Sequence, residues 1–362
     1  MAEKHNSRFW FSPTKTPRAL ASLIGDSIPL RTYQRLVLRE ILGLVYHVVS
    51  TQPGPHVQHL YANKTPAMFE SDLRYLTGNF ELPAYDELFG QAVRLPRKDR
   101  LAAFVSFDDG LAECGSVVQP LLIKHRVPCI FFLITDCIDN RHLMYRHKIS
   151  LCISKLMELP EPEVEPKLAG LSSLFLSAKL SRSDVIQKAL SLVEKDRQQI
   201  DRACDALEID CQAYLKESKP YLTQSQIKSL VRNGFKIGAH SQKHSFLADL
   251  TPSEIETEIV ASCHAIKDIT GDSEVPFAFP FSGAGVERSF LHSLKQKHSV
   301  IGPMFDARGI AVHEPFVFNR LTVDSPSANG PSRSNIPLLL HKEYRSVFFA
   351  DLKGKMRQFF ST

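Results

Sequence analysis

Short apolar runs alternate along the chain with longer stretches whose apolar positions recur three and four residues apart. ILGLVYHVVS (41–50), RLAAFVSF (100–107), PCIFFLIT (128–135), FKIGAH (235–240) and VPFAFPFSG (275–283) have the length and β-branched or aromatic content of buried strands. HSVIGPM (298–304) and FVFNRLTVD (316–324) complete the set. Helical patterns fall between them. TPAMFESDLRYLTG (65–78) puts Phe69, Leu73 and Leu76 on one face, with Gly78 as a stop. LAECGSVVQPLLIKHR (111–126) reads as a helix that Pro120 kinks or divides. TQSQIKSLVRNG (223–234) starts at an N-cap, Thr223. TPSEIETEIVASCHAIKDITG (251–271) carries the fullest signal: Thr251 as N-cap, Pro252 in the first turn, Glu254 closing a capping box and Gly271 at the far end.

This strand–helix–strand rhythm predicts an α/β fold with a parallel sheet, open or closed into a barrel. Residues 140–222 break it. They are Leu-, Lys- and Glu-rich at helical spacing, with LPEPEVEP (159–166) read as a loop, and predict a helical insertion. The expected organisation is an N-terminal arm (1–40), a barrel (41–324) containing the insertion, and a C-terminal tail (325–362) opening with the linker-like SPSANGPSRSN.

Composition narrows the class. The 362 residues are 43% hydrophobic and 23% charged, enough for an ordinary core, with a net charge of +5. The basic residues are scattered apart from Arg94, Arg97, Lys98 and Arg100, so no nucleic-acid footprint is expected. Seven cysteines without a C-x-x-C pair suit free thiols in a reducing compartment. No signal-type stretch or run of 18 apolar residues is present, and the expectation is a cytoplasmic chain. RFWF (8–11) leaves two readings open: peripheral contact with an anionic membrane surface, or a core-packing arm.

The chemistry gathers at strand ends. Asp108 and Asp109 are adjacent acids that end one strand, which costs repulsion and desolvation unless something offsets them. His47 sits near the end of another strand, and His240 ends a third, with His244 four residues on. In parallel α/β folds that edge is where ligands collect. Each feature has a plainer reading: a capped turn for Asp-Asp-Gly, chance for H-x-x-x-H among 14 histidines, a hydrogen-bonded core histidine for His47. Taken together, one aspartate and two histidines suit a divalent transition metal with positions left for water and substrate. A second carboxylate beside the site suits a general base acting on metal-bound water, and a further histidine a proton donor.

These residues resemble a known family. SFDDG (106–110) is similar to the first motif of the polysaccharide deacetylases, the NodB-homology domain of carbohydrate esterase family four. IGAHSQKHSFL (237–247) resembles the second motif and FAFPFSG (277–283) the third, in its F-A-Y-P-Y-G variant. YHVVS (46–50) and FESDLRYL (69–76) resemble the Y-H-x-[IV] strand and F-x-x-x-L-x-x-L helix of the circularly permuted poly-N-acetylglucosamine deacetylase branch.

The resemblance implies a distorted (β/α) barrel with fewer than eight strands, and metal-dependent hydrolysis of an N-acetyl group on an amino sugar of a glycan or glycan precursor. It implies Asp108 as general base, Asp109, His240 and His244 as metal ligands, and His47 as general acid. Pro280 and Phe281 would form a wall of the site, with the Phe281 backbone N–H on the oxyanion. Zinc is the first expectation for the metal, with cobalt or nickel also suited. Three positions depart from the commoner pattern. Ala278 stands where many members place an arginine that orients the catalytic aspartate, Phe281 replaces tyrosine, and Ser282 replaces a glycine, a strain if that turn needs a positive φ. LLLH (338–341) resembles the late L-x-H motif and makes His341 a rival to His47. Three alternatives stay open: hydrolysis of another acyl amide such as formyl, a non-catalytic glycan-binding module, and an insertion whose His147 and Lys148 form a lid or partner platform.

Overall fold

The computed structural model describes residues 27–39, 41–90, 100–177, 179–311, 314–326, 330 and 333–361, with the backbone alone from 354 onward. RFWF and the basic residues Arg94, Arg97 and Lys98 lie outside the described residues, as does part of the 325–335 linker.

Seven strands close into a parallel barrel: β1 (Ile41–Tyr46), β2 (Ala102–Phe107), β3 (Cys129–Leu133), β4 (Lys236–Ala239), β5 (Val275–Ala278), β6 (Ile301–Asp306) and β7 (Val317–Thr322). Each expected run supplies one strand, most of them shorter than the run, while β6 extends two residues beyond HSVIGPM to Asp306. All seven are buried along most of their length, which is why they read as continuous apolar runs rather than alternating ones. Closure comes from β1 pairing β7, with Gly43 opposite Arg320. A Cβ on Gly43 would lie 2.5 Å from the Phe104 ring, 2.6 Å from the Asn319 carbonyl oxygen and 2.9 Å from Cγ of Arg320. Only glycine leaves room there for the arginine stem to enter the interior.

Outside the barrel, α1 (Pro66–Asn79) buries Phe69, Leu73 and Leu76, as its spacing predicts. Helix α2 (Tyr85–Phe89), which the pattern did not announce, packs Phe89 against Phe104, Phe305 and Phe318. The Pro120 helix divides as anticipated. A π-turn at Cys114–Val118 runs into α3 (Gln119–His125), where Pro120 occupies the first turn and needs no N–H partner.

The insertion is helical: α4 (Tyr145–Glu158), α5 (Glu161–Leu174), α6 (Arg182–Leu190), α7 (Arg197–Ala206) and α8 (Cys211–Ser218). Ile153, Val164, Leu171, Val185, Ile200 and Leu207 give it a core of its own, joined to Val48, Leu111 and Ile134 of the barrel loops. One expectation fails here. LPEPEVEP is mostly the first turns of α5, with a proline at its start and Glu161 and Glu163 facing the positive helix end. Proline clusters read as loop because their cost inside a helix is large; that cost vanishes for Pro160 at the N-cap and Pro162 in the first turn, while Pro166 is tolerated inside the helix. Helices α9 (Gln224–Arg232) and α10 (Pro252–Thr270) start on the capping boxes of Thr223 and Thr251, and α10 stops at Gly271 with φ +80°. Helix α11 (Arg288–Lys297) follows β5.

Contacts divide the chain into two units, 39–336 and a second formed by residues 1–38 with 337–362. Residues 325–336 thus group with the barrel, and the rest of the expected tail groups with the arm. The tail is largely a helix, Ile336–Ser361, against which a short helix, Leu30–Leu36, sets Tyr33 edge-on to His341 and Phe348. No helix among the described residues is long and apolar enough to cross a membrane.

Candidate active site

The adjacent acids have opposite surroundings. Beyond β2 the Asp108 N–H donates to the Tyr46 carbonyl at 3.0 Å, extending the ladder with β1. Asp109 and Gly110 then both take φ +70°, which swings the chain out of the strand. Aspartate tolerates that region and glycine is at home in it. A Cβ on Gly110 would also press to 2.9 Å from Leu133.

Asp108 is buried in a fork. Arg320 of β7, wholly buried, donates Nη1–H to Oδ1 at 2.7 Å and Nη2–H to Oδ2 at 2.9 Å. Nη1 also donates to Ser106 Oγ at 3.0 Å, and the guanidinium lies over the Phe132 ring at 4.9 Å. Burial pushes the Asp108 carboxyl up, but Arg320, with His240 and His47 behind it, more than offsets this and lowers the group from its ordinary value. Asp108 is therefore an ionised carboxylate, oriented on both oxygens. Arg320 is the residue that reading the sequence missed. Ala278 leaves the commoner arginine position empty, and the guanidinium arrives from the opposite side of the β1–β7 seam. The available signal was an arginine inside an apolar strand run, where a charge is tolerated only with a partner.

Asp109 faces the histidines. Its Oδ1 lies 3.6 Å from His240 Nε2 and 3.4 Å from His244 Nε2, and the candidate ligand atoms of all three lie within 4.8 Å of one another. His240 donates Nδ1–H to the Ala278 carbonyl at 2.9 Å, which fixes the tautomer and turns a bare Nε2 inward. Burial lowers His240 to about 4 against the pull of Asp108, and lowers His244 to about 3 with help from His47. Both are neutral, as metal ligands must be. Asp109 Oδ1 is buried and accepts no hydrogen bond. A buried, unsatisfied carboxylate oxygen facing two neutral imidazoles fits a divalent cation and little else. The loop bearing His244 is braced from α10, where Glu258 accepts the N–H groups of Gln242 and Lys243 at 2.9 and 3.2 Å.

His47 lies beyond β1, its Nδ1 2.7 Å from Asp324 Oδ2, while its backbone N–H donates to Oδ1 of the same carboxylate at 2.8 Å. Burial alone would discharge the imidazole. Asp324 outweighs it, with Asp109 and Asp108 behind, and raises His47 from 6.5 to about 9. Its ring stacks on Tyr61 at 4.7 Å, and Tyr61 donates its hydroxyl to Asp109 Oδ2 at 2.5 Å. Burial, then Asp109, hold that phenol well above its ordinary value, so it keeps the proton it donates. Neither Asp324 nor Tyr61 was singled out from the sequence.

The third-motif residues follow β5. Ser282 N–H donates to the Pro280 carbonyl at 2.6 Å, closing a γ-turn about Phe281 at φ +59°. The strained position is thus Phe281, not Ser282. The strain holds a 40% exposed ring 4.7 Å from that of His244. His341 belongs to the terminal unit, its Nε2 2.8 Å from the Ile28 carbonyl. In the insertion, His147 is fully buried with Nδ1 2.5 Å from the Tyr221 hydroxyl, and Lys148 is paired with Asp201 at 2.6 Å. Both belong to the packing of α4.

At its strand ends the closed parallel barrel thus carries a buried Asp/His/His cluster that could hold a metal ion, a fixed carboxylate and a charged histidine. Residues 96–297, more than half of the chain, match the polysaccharide deacetylase family, and the chain belongs to it. It is therefore a hydrolase of amide C–N bonds whose reaction is the deacetylation of a glycan. Among solved structures it resembles the Streptococcus pyogenes deacetylase PplD in complex with acetate, at 14% identity and a TM-score of 0.49, covering 84% of this chain and 98% of that one. IcaB from Ammonifex degensii is similar at 14% identity and a TM-score of 0.48, covering 83% and 97%. No curated protein matches the chain in sequence.

Proposed function

We propose that the protein hydrolyses the N-acetyl group of an amino sugar in a glycan or glycan precursor, with a divalent cation held by Asp109, His240 and His244. The observation that carries this reading is the buried, unsatisfied Asp109 oxygen between two neutral imidazoles, flanked by a base and an acid each fixed by its own partner. A bound cation supplies Lewis acidity, acidifying a water and polarising the acetyl carbonyl oxygen. A carboxylate with two imidazoles favours zinc, and cobalt or nickel suits the same donors.

Asp108, kept ionised by Arg320, accepts the proton of the attacking water. His47, kept charged by Asp324, delivers a proton to the amine as the C–N bond breaks. The two partners push the two groups in opposite directions, the arrangement that lets a base and an acid coexist at neutral pH. Tyr61 touches both halves, stacked on His47 and bonded to Asp109. The Phe281 N–H, beside Pro280, is the candidate donor to the oxyanion. His47, just after β1, precedes the other site residues in the chain, the motif order of the permuted branch that the Y-H-x-[IV] resemblance implies.

The test is acetate release from N-acetylglucosamine oligomers by metal-stripped protein, with and without zinc or cobalt, beside Asp108→Asn. Release that needs metal and disappears in the variant is expected. Tight metal binding with no acetate from any N-acetylated sugar would overturn the acetyl assignment in favour of another acyl amide.

A further inference from the structure

One cation at the mouth of this site has no role in the chemistry above. Arg146, in the first turn of α4, lies with its guanidinium over the exposed Phe281 ring at 5.5 Å, and Phe281 in turn packs on His244. The side chain is half-buried, and among the described residues no carboxylate comes within salt-bridge distance of it. Its charge nevertheless reaches the site, acting on Tyr61 and on His244. The guanidinium lies over the ring and shares a hydrogen bond with the Tyr145 side chain, and with five N–H donors it keeps others for contact with an oxyanion. The fold gains little from holding a partly desolvated cation without a counter-charge among the described residues. The ring beneath it is itself held by the strained turn at Phe281 and left open, as a platform for a sugar face needs to be. An exposed aromatic ring and a cation from the insertion that has no carboxylate partner among the described residues thus meet beside Asp109, His240 and His244.

We propose that Arg146 determines specificity by selecting N-acetylated amino sugars that carry a phosphate or carboxylate group near the acetamide. This deepens the deacetylase reading and rests on it for the placement of the acetamide. Recognition is by the shared oxyanion chemistry, and the two sources separate by experiment.

The zinc-loaded full chain is titrated calorimetrically with N-acetylglucosamine, N-acetylglucosamine 1-phosphate and N-acetylmuramic acid, as wild type, Arg146→Gln and Arg146→Lys. At least one anionic sugar is expected to bind about tenfold or more tighter than the neutral one, the size of a charge-assisted hydrogen bond. That advantage should vanish in Arg146→Gln and survive in part in Arg146→Lys, which keeps the charge but loses the fork. Whether the phosphate or the carboxylate sugar gains identifies the group. Equal binding of all three, no binding by any, or an advantage that persists in Arg146→Gln overturns the inference. Acetate release is scored in parallel. Release from neutral oligomers without an anionic preference leaves the deacetylase reading standing while this one falls. An Arg146-dependent preference without acetate from any sugar does the reverse.

Discussion

Arg320 and Asp108, 212 positions apart in the chain, form a buried two-pronged ion pair at 2.7 and 2.9 Å across the barrel interior. The pair fixes one of the two adjacent acids on both oxygens, while the other, Asp109, faces the histidines. Side by side in sequence, the two carboxylates thereby have different surroundings.

Removing the guanidinium strands a buried charge. Arg320→Met should cost about 3–5 kcal/mol of stability, the usual penalty for breaking a buried pair from one side. The folded-state Asp108 carboxyl lies below its ordinary value, so the pairing stabilises above the ordinary carboxylate range and is lost as pH falls through it. Urea unfolding at neutral and acid pH should show the variant's deficit shrinking on acidification. Arg320→Lys should recover part of the stability and shift the acid limb of the activity profile upward; an unmoved limb would show that Asp108 is not the base.

Asp324 acts on the other limb. With Asp324→Asn, His47 should fall from about 9 toward its ordinary 6.5, so the alkaline limb of acetate release should move down in pH. The raised value also bears on stability. That contribution is complete below about pH 6.5 and is lost as pH rises through about 9, on the order of 3 kcal/mol at most. A histidine titration by NMR reads the shift directly and separates it from any loss of turnover.

Tyr61→Phe deletes the hydroxyl bonded to Asp109 while keeping the ring stacked on His47. Zinc affinity should drop about 10- to 100-fold, as for other outer-shell partners of metal ligands. Competition with a chromogenic chelator measures it. Unchanged affinity would mean that the Tyr61 bond plays no part in presenting Asp109.

Gly43→Ala tests the seam of the barrel. The added methyl meets Phe104, the Asn319 carbonyl and the Arg320 stem at 2.5–2.9 Å, one of them backbone that cannot move aside. A loss of about 1–3 kcal/mol is expected by overpacking, with displacement of Arg320 lowering turnover as well. Thermal unfolding and acetate release should fall together.

Much of this protein is legible in local pattern. The seven strands, the N-cap at Thr223, the capping box at Thr251 and the Gly271 stop follow from periods and punctuation that act within a few residues. Asp-Asp-Gly, the His240/His244 pair and His47 stood out because each places costly polar groups at the end of an apolar run. The same locality explains the failures. LPEPEVEP looks like loop until the helix register makes Pro160 the N-cap and Pro162 a first-turn residue, with Pro166 carried inside the helix. Arg320, Asp324, Tyr61 and Arg146 carry no periodic or motif signal. Each matters only through a partner: 212 positions away for Arg320, 277 for Asp324, 48 for Tyr61 and a stacked ring for Arg146. Local pattern determined which strands form and which acids and imidazoles end them. Barrel closure alone decided which counter-charges meet them, because electrostatic partnership depends on distance in space and burial, and β1 meets β7 only when the sheet is closed.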